Sequence, residues 1–189
     1  MINFDLEQEL RPNLSPGEKL LWTGKPKTGI VFRRSDLFLI PFSLLWGGFA
    51  LFWETTVITT GAPWFFKLWG IPFVLVGLYI IVGRFFLDAK KRANTIYGLT
   101  PDRIIIRSGI FYKDIKSLNI RTLSDITMNQ KADNSGTIIL GPVNPRYSMM
   151  QGMEWPGAKQ PPMLEFIDDV KSVYDKIIAL QRGTPNQLP

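Results

Sequence analysis

Leu37 to Trp53 reads LFLIPFSLLWGGFALFW and contains no charged side chain. A second run, Leu68 to Val82, reads LWGIPFVLVGLYIIV and is equally free of charge. At about 1.5 Å of rise per residue, the first run makes a helical rod of roughly 26 Å. A hydrocarbon core about 30 Å thick is crossed by about 17 to 25 apolar residues. Adding Pro63 to Phe66, with Lys67 carrying its ammonium outward on its methylene stem, brings the second run to the same length. The pattern predicts a transmembrane helical hairpin over 36–87, with spans at about 37–54 and 64–83. It leaves an N-terminal arm (1–35), a folded domain (94–182) and a tail (183–189) expected to fray.

The net charge of +6 is unevenly placed. Arg33 and Arg34 precede the first span, and Arg84, Lys90, Lys91 and Arg92 follow the second, whereas residues 54–63 hold no Lys or Arg. Basic flanks stay on the cytoplasmic side, so both termini are expected in the cytoplasm of a multi-pass inner-membrane protein. The first run starts deep in the chain and has no small-residue cleavage site, so it does not read as a secretion signal. The mean hydropathy of +0.06 averages a greasy hairpin with a polar remainder and hides both.

The chain has neither Cys nor His. Disulfides are therefore absent, and zinc, copper and haem lose their usual ligands. Cysteine and Ser-His nucleophilic catalysis lack their essential groups. An oxygen-ligated Mg²⁺ or Ca²⁺ site stays open on composition alone. Asp133-Asn134-Ser135-Gly136 resembles the start of a calcium loop, but position twelve of that loop would be Asn144 instead of a bidentate Glu. Asp, Asn and Gly suit a hairpin turn equally well, and that reading is preferred. Asp168-Asp169 reads as the start of a helix, where acidic groups are favoured, so it needs no paired-carboxylate chemistry. Neither enzymatic activity nor a cofactor is expected.

In the arm, Leu20-Leu21-Trp22 lies between Pro16-Gly17 and Gly24-Lys25-Pro26 and reads as one short strand that joins a sheet formed elsewhere. After a polar, basic connector (Asp88 to Asn94) the hydrophobic period shortens. Thr95 to Thr100, Arg103 to Arg107, Ile110 to Tyr112, Lys116 to Arg121, Asp125 to Lys131 and Thr137 to Leu140 are β-rich runs with turn residues between them, an antiparallel meander. Residues 141–162 carry five prolines and read as an irregular loop. Met163 to Phe166 is a last strand. A helix from about Asp168 to Arg182 presents Ile167, Val170, Tyr174, Ile177 and Ile178 on one face.

An antiparallel sheet or barrel capped by one C-terminal amphipathic helix is the plan of a pleckstrin-homology-like domain. Thr95, Tyr97, Leu99-Thr100, Asp102-Arg103-Ile104 and Gly109 resemble the Y-x-L-T-x-x-R-I opening of the bacterial PH domains. Glu18, Leu21-Trp22, Gly24 and Pro26 resemble the E-x-x-L-W-x-G-x-P element that precedes the membrane hairpin in such proteins. The resemblance implies an α+β membrane protein whose cytoplasmic PH-like domain binds without catalysing a reaction.

Two surfaces stand out as candidate sites. The basic collar of Arg33, Arg34, Arg84, Lys90, Lys91 and Arg92 either sets topology alone or also holds anionic phospholipid, at about 1 kcal/mol per cation. The loop with Met149, Met150, Met153 and Trp155 either packs on its own domain, covers it as a lid, dips into lipid, or receives a protein partner. Gly47-Gly48, Gly70 and Gly77 permit close helix contact, within one chain or between chains. Arg103, Arg107, Lys113, Lys116 and Arg121 give the sheet a basic cast, but interspersed acids and the lack of a motif argue against nucleic acid. The expected role is an interaction or scaffold module that recruits a protein or a second copy of itself, with anionic-headgroup recognition by the collar as the alternative.

Overall fold

The computed structural model describes residues 4–33, 35–110, 112–142 and 161–183. In chain order the elements are α1 (Phe4–Leu10), β1 (Trp22–Gly24), α2 (Asp36–Thr59), α3 (Trp64–Leu78), α4 (Arg84–Ala93), β2 (Ile96–Leu99), β3 (Arg103–Ser108), β4 (Asp114–Asn119), β5 (Ile126–Gln130), β6 (Gly136–Leu140), β7 (Met163–Ile167) and α5 (Val170–Gln181). They make two compact units: one around residues 30–89, the other uniting the arm as far as Gly29 with the described chain from Lys90 on.

The β-rich unit holds two antiparallel sheets, of order β1-β2-β3-β4 and β5-β6-β7. It is not a closed barrel. The ladder breaks after β4 because Ile120–Thr122 winds into a 3-10 turn, with the Asn119 side chain accepting from the Arg121 amide. The expected strand at Lys116 to Arg121 therefore starts at Asp114 and stops at Asn119. Ile110 to Tyr112 supplies no strand either: Ile110 and Tyr112 lie in the bend that joins β3 to β4, and Phe111 is outside the described residues. Gly109 opens that bend at φ +136, a conformation natural only to glycine.

The arm strand is present but shifted by two residues. Trp22 pairs with Leu99 and Gly24 with Tyr97, and the Leu21 amide donates to the Leu99 carbonyl at 2.7 Å. Ahead of it α1, unforeseen in the sequence, buries Leu6 and Leu10. Strand alternation explains why three successive isoleucines are buried. Ile104 and Ile106 face the main core with Leu99, Ile138, Leu164 and Ile177. Ile105 turns to the opposite face and packs with Ile96 against Leu6, Leu10 and Leu20 of the arm. Each fully buried isoleucine contributes about 1.5 to 3 kcal/mol.

Helix α5 buries Val170, Val173, Ile177 and Leu180. Its inner face is thus rotated from the expected one, with Tyr174 and Ile178 at the margin. Asp169 occupies the N-cap in a left-handed conformation and makes no capping hydrogen bond with its side chain. The first helical amide, Val170 N–H, donates instead to the Asn134 carbonyl at 3.1 Å. Asn134 itself has φ +62 in the β5–β6 turn, where Asp133 Oδ1 accepts from the Ser135 amide and hydroxyl.

In the other unit α2 and α3 run as an antiparallel pair. Gly47 and Gly77 face one another so closely that a Cβ on Gly77 would lie 3.1 Å from the Gly47 Cα. The glycine contact is therefore made within one chain. Gly70 accommodates the Glu54 carboxylate, whereas a Cβ on Gly48 would meet nothing within 4 Å. Pro41 and Pro72 are both taken up inside their helices. Rings of Phe38, Phe42, Trp46, Phe73, Trp69 and Phe65 form a chain of neighbours with centroids 6.0 to 6.4 Å apart, crossing from α2 to α3 at Trp46. The expected polar connector is helical as far as Ala93. A π-helical turn at Tyr79–Gly83 carries α3 into α4, and Lys90, Lys91 and Arg92 in the last turn suit the negative end of the dipole.

Candidate interaction surfaces

The collar residues do not form one uniform basic ring. Arg33 Nη2 donates to Asp88 Oδ1 at 3.0 Å, and Arg84 Nη1 donates to Asp36 Oδ1 at 2.6 Å. Asp36 also accepts from the Arg33 amide through Oδ2 at 2.6 Å. These pairs staple the two helices together at the end where α2 begins. Arg84 further donates from Nε to the Ile80 carbonyl, within the π turn, and its guanidinium lies 4.3 Å from the centre of the Phe85 ring. Arg34 lies outside the described residues.

In the last turn of α4 the remaining cations divide. Arg92 is buried, 3% exposed. It donates to the Gly29 carbonyl and stands 5.5 Å from the Phe166 ring centre. Such a guanidinium is structural. Lys90 is exposed and Lys91 half-buried. Met149, Met150, Met153 and Trp155 lie outside the described residues.

The arm is fastened by charge as well as by apolar packing. Arg103 Nε donates to Glu18 Oε1 at 2.8 Å and Nη2 to Oε2 at 2.6 Å. Nη2 also reaches the Asn13 carbonyl at 3.1 Å. The Arg103 hydrogen bonds hold the Glu18 carboxyl down to about 2, against an ordinary value of 4.5, and overcome the opposing effect of burial. A second clasp joins Lys27 Nζ to Asp133 Oδ2 at 2.9 Å, with Asp168 at 3.7 Å. It raises the Lys27 ammonium and holds the Asp133 carboxyl well below the usual carboxylate range.

The basic cast of the sheet is likewise largely neutralised. Arg107 pairs with Glu9 and Arg121 with Asp102, while Arg103 is taken by Glu18. Strand β4 is exposed along nearly its whole length and, among the described residues, has one strand neighbour, β3. The partners that the sequence did not disclose are Glu9, Glu18, Asp36 and Asp88. For Asp36 and Asp88 a signal existed: acids flank the same spans as the arginines, and antiparallel helices bring opposite ends of the two runs together. Nothing local marks Glu9, and although Glu18 and Arg103 each stand in a motif of the family resemblance, neither motif says that the two pair across the chain.

No curated protein and no solved structure matches the chain at a significant level. The family model described as "Bacterial PH domain" matches residues 35–176, from the start of the first long helix into α5. Its span takes in both long helices and all the strands except β1. The chain belongs to the bacterial PH domain family.

Proposed function

We propose that this bacterial PH-family protein is a non-catalytic, membrane-anchored interaction module. Helices α2 and α3 cross the cell membrane as a hairpin over 36–87, and the PH-like unit over 94–182, completed by the arm, lies on the cytoplasmic face. There it recruits a protein partner or a second copy of the chain. One observation carries the reading. The most apolar windows of the helices Asp36–Thr59 and Trp64–Ala93 are only 28% and 11% buried, whereas a core helix of a soluble protein has its apolar side covered. PH domains generally bind lipids or proteins, and the nearly bare edge strand β4 offers a surface for protein.

A second reading, anionic-phospholipid recognition by the collar, is favoured by the exposure of Lys90 in the last turn of α4. Crosslinking in the membrane followed by mass spectrometry separates the two. The scaffold reading expects crosslinks to a second copy or another protein that survive a joint Lys90→Ser, Lys91→Ser exchange. Loss of anionic-vesicle binding in that variant, with no protein crosslinks in either form, favours the lipid reading.

A further inference from the structure

Strand β4 closes its sheet on one side, with β3 as its strand neighbour among the described residues. Its six residues, Asp114–Asn119, stay in unbroken register with β3 and include no proline. In an antiparallel ladder every second residue turns both its amide and its carbonyl to the same neighbour. The Ile120 amide donates to the Asp102 carbonyl, and the Thr100 amide to the Arg103 carbonyl, each at 3.0 Å. Those two bonds fix the phase of the ladder. Asp114, Lys116 and Leu118 bond to β3, whereas Ile115 and Ser117 direct their amides and carbonyls away from it. Side chains alternate as well. Leu118 packs against the main core, so Asp114 and Lys116 share its face and Ile115 lies on the other. Ile115 is 44% exposed. Asp114 and Lys116 are exposed too, and neither makes an ion pair among the described residues.

We propose that β4 pairs antiparallel with β4 of a second copy of the chain, about a two-fold axis centred on Ile115. The inference rests on the scaffold reading and names its partner. Charge selects both the occupant and the register. Only the outward-directed residues can bond across the new seam, so the two-fold registers with most overlap centre on Ile115, Lys116 or Ser117. Centred on Lys116, the two lysines stand directly opposite, a destabilising like-charge pair. Centred on Ser117, Lys116 faces Leu118 of the second copy and neither charge is matched. Centred on Ile115, Asp114 faces Lys116 of the second copy, and the symmetry repeats that pair on the other side of the axis. These are the positions without mutual hydrogen bonds, where facing side chains stand closest. The same register sets Ile115 against Ile115 and covers both.

A foreign strand would have to supply a base, an apolar residue and an acid in that order; β4 read backwards, Lys116-Ile115-Asp114, already does. Lys116 has a second effect. A charge on the core-facing side of an edge strand discourages indiscriminate pairing, and Asp114 two residues away exempts this one register. A seam of one short strand against another is smaller than the interfaces that hold stable dimers in solution. Confinement of both copies to one membrane raises their effective concentration and populates the pair.

The chain has no cysteine, so oxidative disulfide trapping of single-cysteine variants of the full chain, in cell membranes, reads the register. Facing residues of an antiparallel seam lie about 5 Å apart between Cα atoms, within disulfide reach. Ile115→Cys is expected to give a covalent dimer, and Lys116→Cys and Ser117→Cys far less of it. In the Ile115→Cys background, Asp114→Lys sets lysine against lysine on both sides of the axis and should cut the dimer roughly five- to ten-fold. Adding Lys116→Asp restores opposite charges in exchanged positions and should return the yield to that of Ile115→Cys alone, which separates lost pairing from lost folding. Absence of the Ile115→Cys dimer, equal trapping at all the positions, or no rescue by the charge exchange overturns the proposal. Where the dimer is absent, membrane crosslinks to another protein leave the scaffold reading standing, and absence of every protein crosslink removes that reading too.

Discussion

Arg103 on β3 holds Glu18 of the arm through two parallel hydrogen bonds, 2.8 Å and 2.6 Å long. A fork-to-fork pair of this kind fixes direction as well as distance. It explains how an arm whose strand is only three residues long stays in register with β2. The unit begun by residues far upstream of the hairpin is completed by residues far downstream of it.

The first expectation concerns acid. The folded-state value of Glu18, about 2, lies below its ordinary 4.5. The stabilisation it provides is therefore fully present above about pH 4.5 and is lost as pH falls toward 2. Glu18→Gln lacks this contribution at neutral pH, about 2 kcal/mol for a charge-assisted pair. Denaturation of both proteins across that window should show wild type approaching the variant as pH falls. Curves that coincide at neutral pH would show that the pair does not stabilise the fold, and a constant offset would show that its contribution is not tied to the Glu18 charge.

The second concerns the arm strand. Trp22 is 8% exposed and packs in the main core with Tyr97, Leu99 and Ile104. Trp22→Ala is expected to cost about 3 to 5 kcal/mol, a large share of a small domain's stability. A melting temperature unchanged from wild type would reduce the arm to a tether.

The third concerns the helix pair. Gly77→Val places a side chain where the Gly47 backbone already lies, and overpacking of this kind costs about 1 to 3 kcal/mol. Gly48→Val enters open space and should leave the pair intact. Thermal unfolding in detergent of the two variants should separate them. Equal behaviour would mean that the glycine contact does not hold the helices together.

The hairpin and the order of the strands were legible because each rests on an unbroken local pattern: charge-free runs, then alternating runs punctuated by Pro-Asp, Ser-Gly and Asn-Ser-Gly. What stayed hidden depends on distant partners or on very short elements. Helix α1 is seven residues long, too short for a helical period to show, and it exists because Leu6 and Leu10 cover Ile96 and Ile105. On α5 the buried stripe is Val170, Val173, Ile177 and Leu180, and the first amide is held by the Asn134 carbonyl, a partner far along the chain. The collar looked like a uniform stripe of cations, yet Asp36 and Asp88 neutralise two of them from the opposite helix and Phe166 receives a third.

Because the chain has no cysteine, single cysteines can be placed without background, and they test the membrane-hairpin claim most directly. One is placed at Thr59, the last residue of α2, and one at Ser124, between β4 and β5. Intact cells are then treated with a membrane-impermeant thiol reagent. A hairpin with its PH-like unit in the cytoplasm requires labelling at residue 59 and protection at residue 124 until the cells are lysed. Labelling at 124 in intact cells, or protection of both positions with the protein recovered in the soluble fraction, would contradict it.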